Sequence, residues 1–252
     1  VTPAPSSFSF EPLYLALAAV AAALYVRAAR HERVPAWRIV LFSLGLLLVA
    51  GALNSPLETI AANYLLLFHL LQNVMIADWA PPLLILGLTP RMRAEVARRG
   101  GTIFAVLTRP KVALAVWLVG WYGIHLALFY DFALEHAWTL NFEHALLSAI
   151  GLLFWWPVLA DQPHEVDAPV KIGYLGAAFV GATFLGLAFT FSSTPFYDFY
   201  ERAPRLWGIS AEKDQNFGGI LMNVEQALVF LAAILYFVTR LIPEEDRTRA
   251  DA

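Results

Sequence analysis

Residues 65–82 read LLLFHLLQNVMIADWAPP. The run is apolar enough to enter a membrane, yet it carries His69, Gln72, Asn73 and Asp78. Polar and ionisable groups are costly in hydrocarbon, so each needs a partner, a cavity or a function. The rest of the chain says whether hydrocarbon is the solvent. Of 252 residues, 59% are hydrophobic and only 15% charged, with a mean hydropathy of +0.61. A soluble domain carries about 25% charged residues, so the composition points to a multi-pass membrane protein. Eight Trp and eighteen Phe fit that class, because aromatic rings gather at membrane interfaces. The chain has no Cys, which excludes disulfides, thiolate metal sites and cysteine nucleophiles. The opening VTPAPSSFSFEP has no basic segment followed by a cleavage site and is not read as a signal peptide.

Seven apolar stretches lie near 12–29, 37–53, 59–80, 112–131, 140–160, 170–191 and 217–241. Most have the roughly 17–25 residues that a helix needs to cross the hydrocarbon core. The fold class expected is therefore an all-α membrane protein of seven transmembrane helices, forming a single domain over 1–252. Arg27, Arg30, Arg33 and Arg38 follow the first stretch, and Arg91, Arg93, Arg98, Arg99, Arg109 and Lys111 follow the third. Lys171, Arg240, Arg247 and Arg249 fall on the same side, leaving only Arg202, Arg205 and Lys213 opposite. Basic loops stay in the cytoplasm, so the N-terminus is expected outside and the C-terminus inside.

From Glu58 to Leu88 the third stretch is too long for one perpendicular crossing at about 1.5 Å per residue. Either it tilts strongly, or Pro81-Pro82 ends the helix and PPLLILGL lies against the inner face. Thr89 and Pro90 then read as the N-cap and first turn of a basic amphipathic helix, MRAEVARR, lying against anionic lipid. Gly173, Gly176, Gly181 and Gly186 in the sixth stretch read as helix-packing positions.

Orientation gives the buried polar residues a depth. His125, His144, Met222 and Glu225 fall toward the outer ends of their helices, and His69 falls at or outside the midplane in either register of the third span, so four spans contribute. Scattered accidents would occupy both leaflets. His69 and Asn73 are four apart with Gln72 between them, and Met222, Glu225 and Gln226 share a face in the same way. Imidazole and thioether ligands suit copper, while two facing His could hold haem iron. An ion or proton carrier using Asp78 and Glu225 is a third reading; its weakness is that the two are not evidently at one depth. The aromatic outer segment 192–216 reads as a cap over the cluster or a partner surface.

Three blocks carry a family likeness: SPLETIAANYLLLFHLLQNVMIADWAPPLLILG, FYDFALEHAWTLNFEHALLSAIGLLFWWPVL and GISAEKDQNFGGILM. In consistent order over roughly residues 10–243, the chain resembles the CtaG-type assembly factors of caa-type cytochrome c oxidase. The resemblance implies a seven-span protein of the bacterial plasma membrane that matures the oxidase, without being an enzyme, at copper delivery or insertion. His69 matches the first His of the family's H-x-x-x-H stretch in span three, and His144 the second His of the one around span five. His125 matches its W-H segment, with Ile124 in place of Trp. Asp214, Gln215, Gly218, Gly219 and Met222 match its D-Q-x-x-G-G-x-x-M motif. Asn73 stands where the family usually has His, and Trp138 to Leu140 stand where the other span-five His would be. The copper ligands expected are His69, His125, His144 and Met222, with Gln72, Asn73, Asp214, Gln215 and Glu225 in support. Gly218 and Gly219 are expected to pack helices, and the partners are oxidase subunits and membrane lipid, with no nucleic acid. The alternatives are a haem-binding membrane redox protein and a structural accessory subunit that has lost its metal site.

Overall fold

The first two apolar runs become α1 (Pro12–Ala29) and α2 (Ala36–Leu53), joined where Tyr25 stacks on Phe42 at 4.1 Å. The structure, a computed structural model, describes residues 2–250, with side chains to residue 241. Arg247 and Arg249, which entered the charge argument, and the extreme ends of the 1–252 domain lie outside the side chains so described. No strand occurs among the described residues.

The third run departs from both expectations. A short helix, α3 (Pro56–Asn63), forms first, with the Ser55 hydroxyl accepting from the Leu57 N–H at 3.2 Å and Pro56 in its first turn. After a break at Tyr64 and Leu65, α4 (Leu66–Val74), a π-turn (Met75–Trp79) and α5 (Ala80–Gly87) form one continuous span of 22 residues. Pro81-Pro82 does not end this helix. A proline removes one N–H and crowds the carbonyl four residues back. Here those carbonyls belong to Ala77 and Asp78, inside the π-turn, where the wider i→i+5 geometry has already given up the bonds the prolines would break. His69 therefore lies near one end of the span and Asp78 near its middle.

Thr89 caps α6 (Pro90–Leu107) as expected, accepting from the Met92 N–H at 3.1 Å. Within α6 the Glu95 carboxylate accepts from Arg98 and Arg99, and these bonds hold its pKa down to about 2. Gly101 interrupts the helix at φ +59°, a left-handed conformation that suits a residue without Cβ. α6 turns by 73° into α7 (Pro110–Ile124). The predicted span 112–131 is thus cut short. The His125 ring takes the Trp121 carbonyl with its Nδ1 at 2.7 Å, and the chain resumes as α8 (Ala127–Glu135).

α9 (Ala137–Leu159), α10 (Ala168–Phe191), the five-residue α11 (Asp198–Arg202) and α12 (Ala211–Ala250) complete the chain. Six described helical segments are long and apolar enough to cross a membrane, and the bent α6–α7 pair, counted as one broken span, makes seven. The chain is a multi-pass membrane protein.

In lipid, apolar surface alone does not drive helices together; close packing does. α10 and α12 meet where a Cβ on Gly219 would fall 2.6 Å from the Gly186 carbonyl oxygen. A Cβ on Gly218 would fall 2.5 Å from Leu70 of α4. Of the four glycines expected to pack in the sixth span, Gly186 meets Asn223 and Gly181 meets Leu118, whereas Gly173 and Gly176 have no neighbour within 4 Å. Gly151 of α9 packs directly on the Ala77 backbone, so the π-turn is clasped by a helix that no side chain holds off. Trp117, Phe154 and Phe230 fill the centre.

Candidate functional site

α4 carries His69 into the bundle, fully buried, and α9 brings Glu143 and His144 against it. His69 Nε2 lies 3.3 Å from Glu143 Oε1, and the His69 and His144 rings meet edge to face at 5.8 Å. Tyr130 of α8 sits 4.9 Å from the His69 ring and 5.8 Å from the His125 ring, so it joins all three imidazoles into one cluster. The segment between α10 and α12 roofs it: Tyr200 of α11 bonds His69 Nδ1 at 2.8 Å, and Tyr197 stacks on Tyr130 at 4.2 Å.

Hydrogen bonding settles two tautomers. The Tyr200 hydroxyl has one proton and donates it to the Ala61 carbonyl at 2.6 Å. His69 Nδ1 must then be the donor to the Tyr200 oxygen, leaving Nε2 turned toward Glu143. His125 Nδ1 likewise donates to the Trp121 carbonyl, so its Nε2 is the free nitrogen. A lone pair facing a carboxylate is repulsive. The His69–Glu143 contact therefore calls for a proton or another cation between them.

Asn73, one turn from His69, donates to Glu143 Oε1 at 3.1 Å. It thus helps to fix the carboxylate beside the imidazole. Gln72 corrects the expectation of a shared face: it turns away, donating to the Ala52 carbonyl at 2.8 Å and to Glu58. Asp214 is not beside the cluster either. Its two oxygens accept from the Leu66 and Leu67 N–H groups at 2.8 and 2.9 Å, capping α4 from α12 three residues before His69. Gln215 clamps the roof segment, accepting from the Phe196 N–H at 2.7 Å and donating to the Thr194 carbonyl at 3.1 Å. Met222 is fully buried in the main core. Glu225 stands apart, accepting from Trp79 Nε1 at 2.7 Å. His136, at the end of α8, is half-buried and bonds the Phe132 carbonyl.

Sequence reasoning missed Glu143, Tyr130, Tyr197 and Tyr200. A signal for Glu143 existed, since it is the one charged residue in the predicted span 140–160. Tyr197 and Tyr200 were reached only as part of the aromatic segment 192–216, read as a cap over the cluster, and Tyr130 had no signal, because aromatic residues are common at membrane interfaces.

The cluster is left chemically open. His69 Nε2, His125 Nε2, His144 Nε2, Glu143 Oε2, Asn73 Oδ1 and the Tyr130 hydroxyl are buried without a hydrogen-bond partner. Buried polar atoms are nearly always paired, so such a group marks a place for a ligand or water. Among the described residues no three His, Asp or Glu side chains already converge as a metal-ion site.

Two uncharacterized mycobacterial proteins, one from Mycobacterium bovis and one from Mycobacterium tuberculosis, are each 26% identical to the chain over 144 residues. That match covers 56% of this chain and 22% of theirs, so the chain spans about a fifth of the length of these curated relatives. No solved structure gives a significant match. The model of the cytochrome c oxidase caa3 assembly factor family matches residues 19–244, nearly the whole bundle and every element around the His cluster, and the chain belongs to that family.

Proposed function

We propose that the protein matures a haem-copper cytochrome c oxidase by holding copper in transit, as cargo, at His69, His144 and Glu143, with His125 at the edge of the cluster. One observation carries this reading: three imidazole nitrogens and a carboxylate oxygen lie buried and unpartnered in one aromatic enclosure. Imidazole is a suitable copper ligand, and a site without thiolate releases the ion more readily than a cysteine site. Because the donors do not converge at rest, loading draws these side chains toward a common point. The protein is then an assembly factor rather than an enzyme.

The Lys and Arg bias of the connections supports a reading with the N-terminus outside and the C-terminus in the cytoplasm of a bacterial plasma membrane. The cluster then lies in the outer half of the bundle, and the aromatic roof faces the oxidase subunits that receive the metal. The haem alternative has less support: the His69 and His144 rings meet edge to face at 5.8 Å with Tyr130 packed against His69, whereas two axial ligands of one iron stand on opposite faces of a macrocycle.

The test is copper per chain in protein purified under reducing conditions. Wild type should retain copper, and the double variant His69→Ala, His144→Ala should lose it while remaining folded. Cells carrying the double variant should make oxidase deficient in copper. Copper-free wild type would overturn the cargo reading, and a Soret band in the same preparation would turn the argument to haem.

A further inference from the structure

The roof over the His cluster is tied down by a residue outside the ligand set, Arg205, whose side chain is only 26% exposed. Its Nε donates to the Ala203 carbonyl at 2.9 Å, and Nη2 donates to the Tyr64 carbonyl at 3.4 Å and to the Tyr200 carbonyl. Tyr200 belongs to α11, and its hydroxyl is the acceptor that orients His69. Tyr64 lies in the break between α3 and α4. Nη1 is buried without a hydrogen-bond partner, 4.0 Å from Oδ2 of Asp214, the residue that caps α4. One guanidinium thus joins the roof, the break before the His69 helix and the cap of that helix.

The rest of the roof is held at its edges. Asp131 accepts from the Asp198 and Phe199 N–H groups at 3.3 and 3.0 Å, in bonds that are exposed or half-buried. Gln215 fixes the near end through Thr194 and Phe196. Just past Arg205 the chain turns through two consecutive left-handed residues, Trp207 at φ +52° and Gly208 at φ +69°. Among the described residues Trp207 is the one non-glycine residue with positive φ. A bulky side chain in that conformation is a backbone outlier, and such strain gathers at ligand clamps and switch segments. The stretch between clamp and strained pair is 197–205.

A partly buried guanidinium that lets go of two carbonyls loses free energy unless another acceptor is waiting. Asp214 is that acceptor, because Nη1 faces it with both N–H groups unspent. Opening then exchanges roof carbonyls for a carboxylate, and the charge stays paired throughout. The same motion takes the Tyr200 hydroxyl away from His69 Nδ1 and frees that ring to turn.

We infer that Arg205 is the latch of a lid, segment 197–205, that opens the buried His cluster to the aqueous phase. In the copper reading, on which this rests for its cargo, Arg205 sets how fast the ion enters and leaves.

The chain has no Cys, so His144→Cys places a single thiol in the cluster. The experiment measures its modification by a charged, water-borne thiosulfonate, on the full chain in lipid nanodiscs with a copper chelator present. Adding Arg205→Gln should raise that rate about tenfold, the order expected from losing one hydrogen bond to a charged group. Ser193→Cys, already exposed, should react equally fast with Arg or Gln at position 205. Arg205→Lys keeps the charge but not the fork and should fall between the two; it carries the comparison should Arg205→Gln not fold. With His144 intact, copper uptake and copper release to a soluble chelator should both quicken in Arg205→Gln. An unaltered thiol rate in the folded variants overturns the latch. So does faster release with unchanged uptake, which would leave Arg205 as a support of His69 alone. Wild type that binds no copper removes the cargo reading, and the thiol rates then decide the latch by themselves.

Discussion

His69 shows how little of a residue's role its own identity reveals. Its ring is oriented by a tyrosine 131 positions away, and its free nitrogen faces a carboxylate from another helix. Tyr200→Phe should leave the His69 Nδ1–H and the Ala61 carbonyl without their shared partner. The expected cost is about 1–3 kcal/mol, read as a lower unfolding midpoint in detergent. An unchanged midpoint would mean that the hydroxyl does not orient the ring. Asn73 stands one turn from His69 on the same helix. Its amide holds Glu143, so Asn73→His should exchange that hydrogen bond for a further imidazole. Copper retention against a chelator should rise in Asn73→His and fall in Glu143→Gln; equal retention in all three proteins would remove Glu143 from the ligand set. Gln72 was assigned to the same face by spacing, but Glu58 and the Ala52 carbonyl compete for its amide. That competition arises between helices and has no trace in the local sequence.

At the scale of elements, most helices follow from their apolar length, and α1 begins and ends where its hydropathy does. The π-turn does not. Two adjacent prolines leave a helix stop as one of two readings, because nothing local announces that the bonds they break are already absent. Asp214 teaches the same lesson from the other side: an acidic residue in a recognisable motif proves to cap a helix remote in sequence. Asp214→Ala should leave the Leu66 and Leu67 N–H groups buried without an acceptor. A loss of about 1–3 kcal/mol is expected, with faster hydrogen exchange at the start of α4 and copper retention weakened through His69 rather than directly. Exchange rates as slow as in wild type would show that the cap is dispensable.

At the scale of the whole molecule, the charge argument makes a direct prediction about sidedness. The chain has no Cys, so a single introduced thiol reports position without background. Ser193→Cys, in the exposed segment leading to the roof, should react with a membrane-impermeant maleimide in intact cells. Arg98→Cys, on the exposed face of α6, should react only after the membrane is opened. The opposite pattern would invert the protein and place the His cluster on the cytoplasmic side.

Composition and hydropathy by themselves determined that this chain is a helical membrane protein and which runs supply its spans, because solvation by lipid acts on each segment separately. Motif order determined the family, and polar residues in apolar runs marked His69, His125 and His144 as worth explaining. The tertiary structure decided which of them meet. It brought Glu143 to His69, turned Gln72 and Asp214 to structural work, and buried Asp78 inside a π-turn. These outcomes depend on interhelical distances of a few ångströms and on backbone hydrogen bonds given up at one turn, and helical periodicity contains neither.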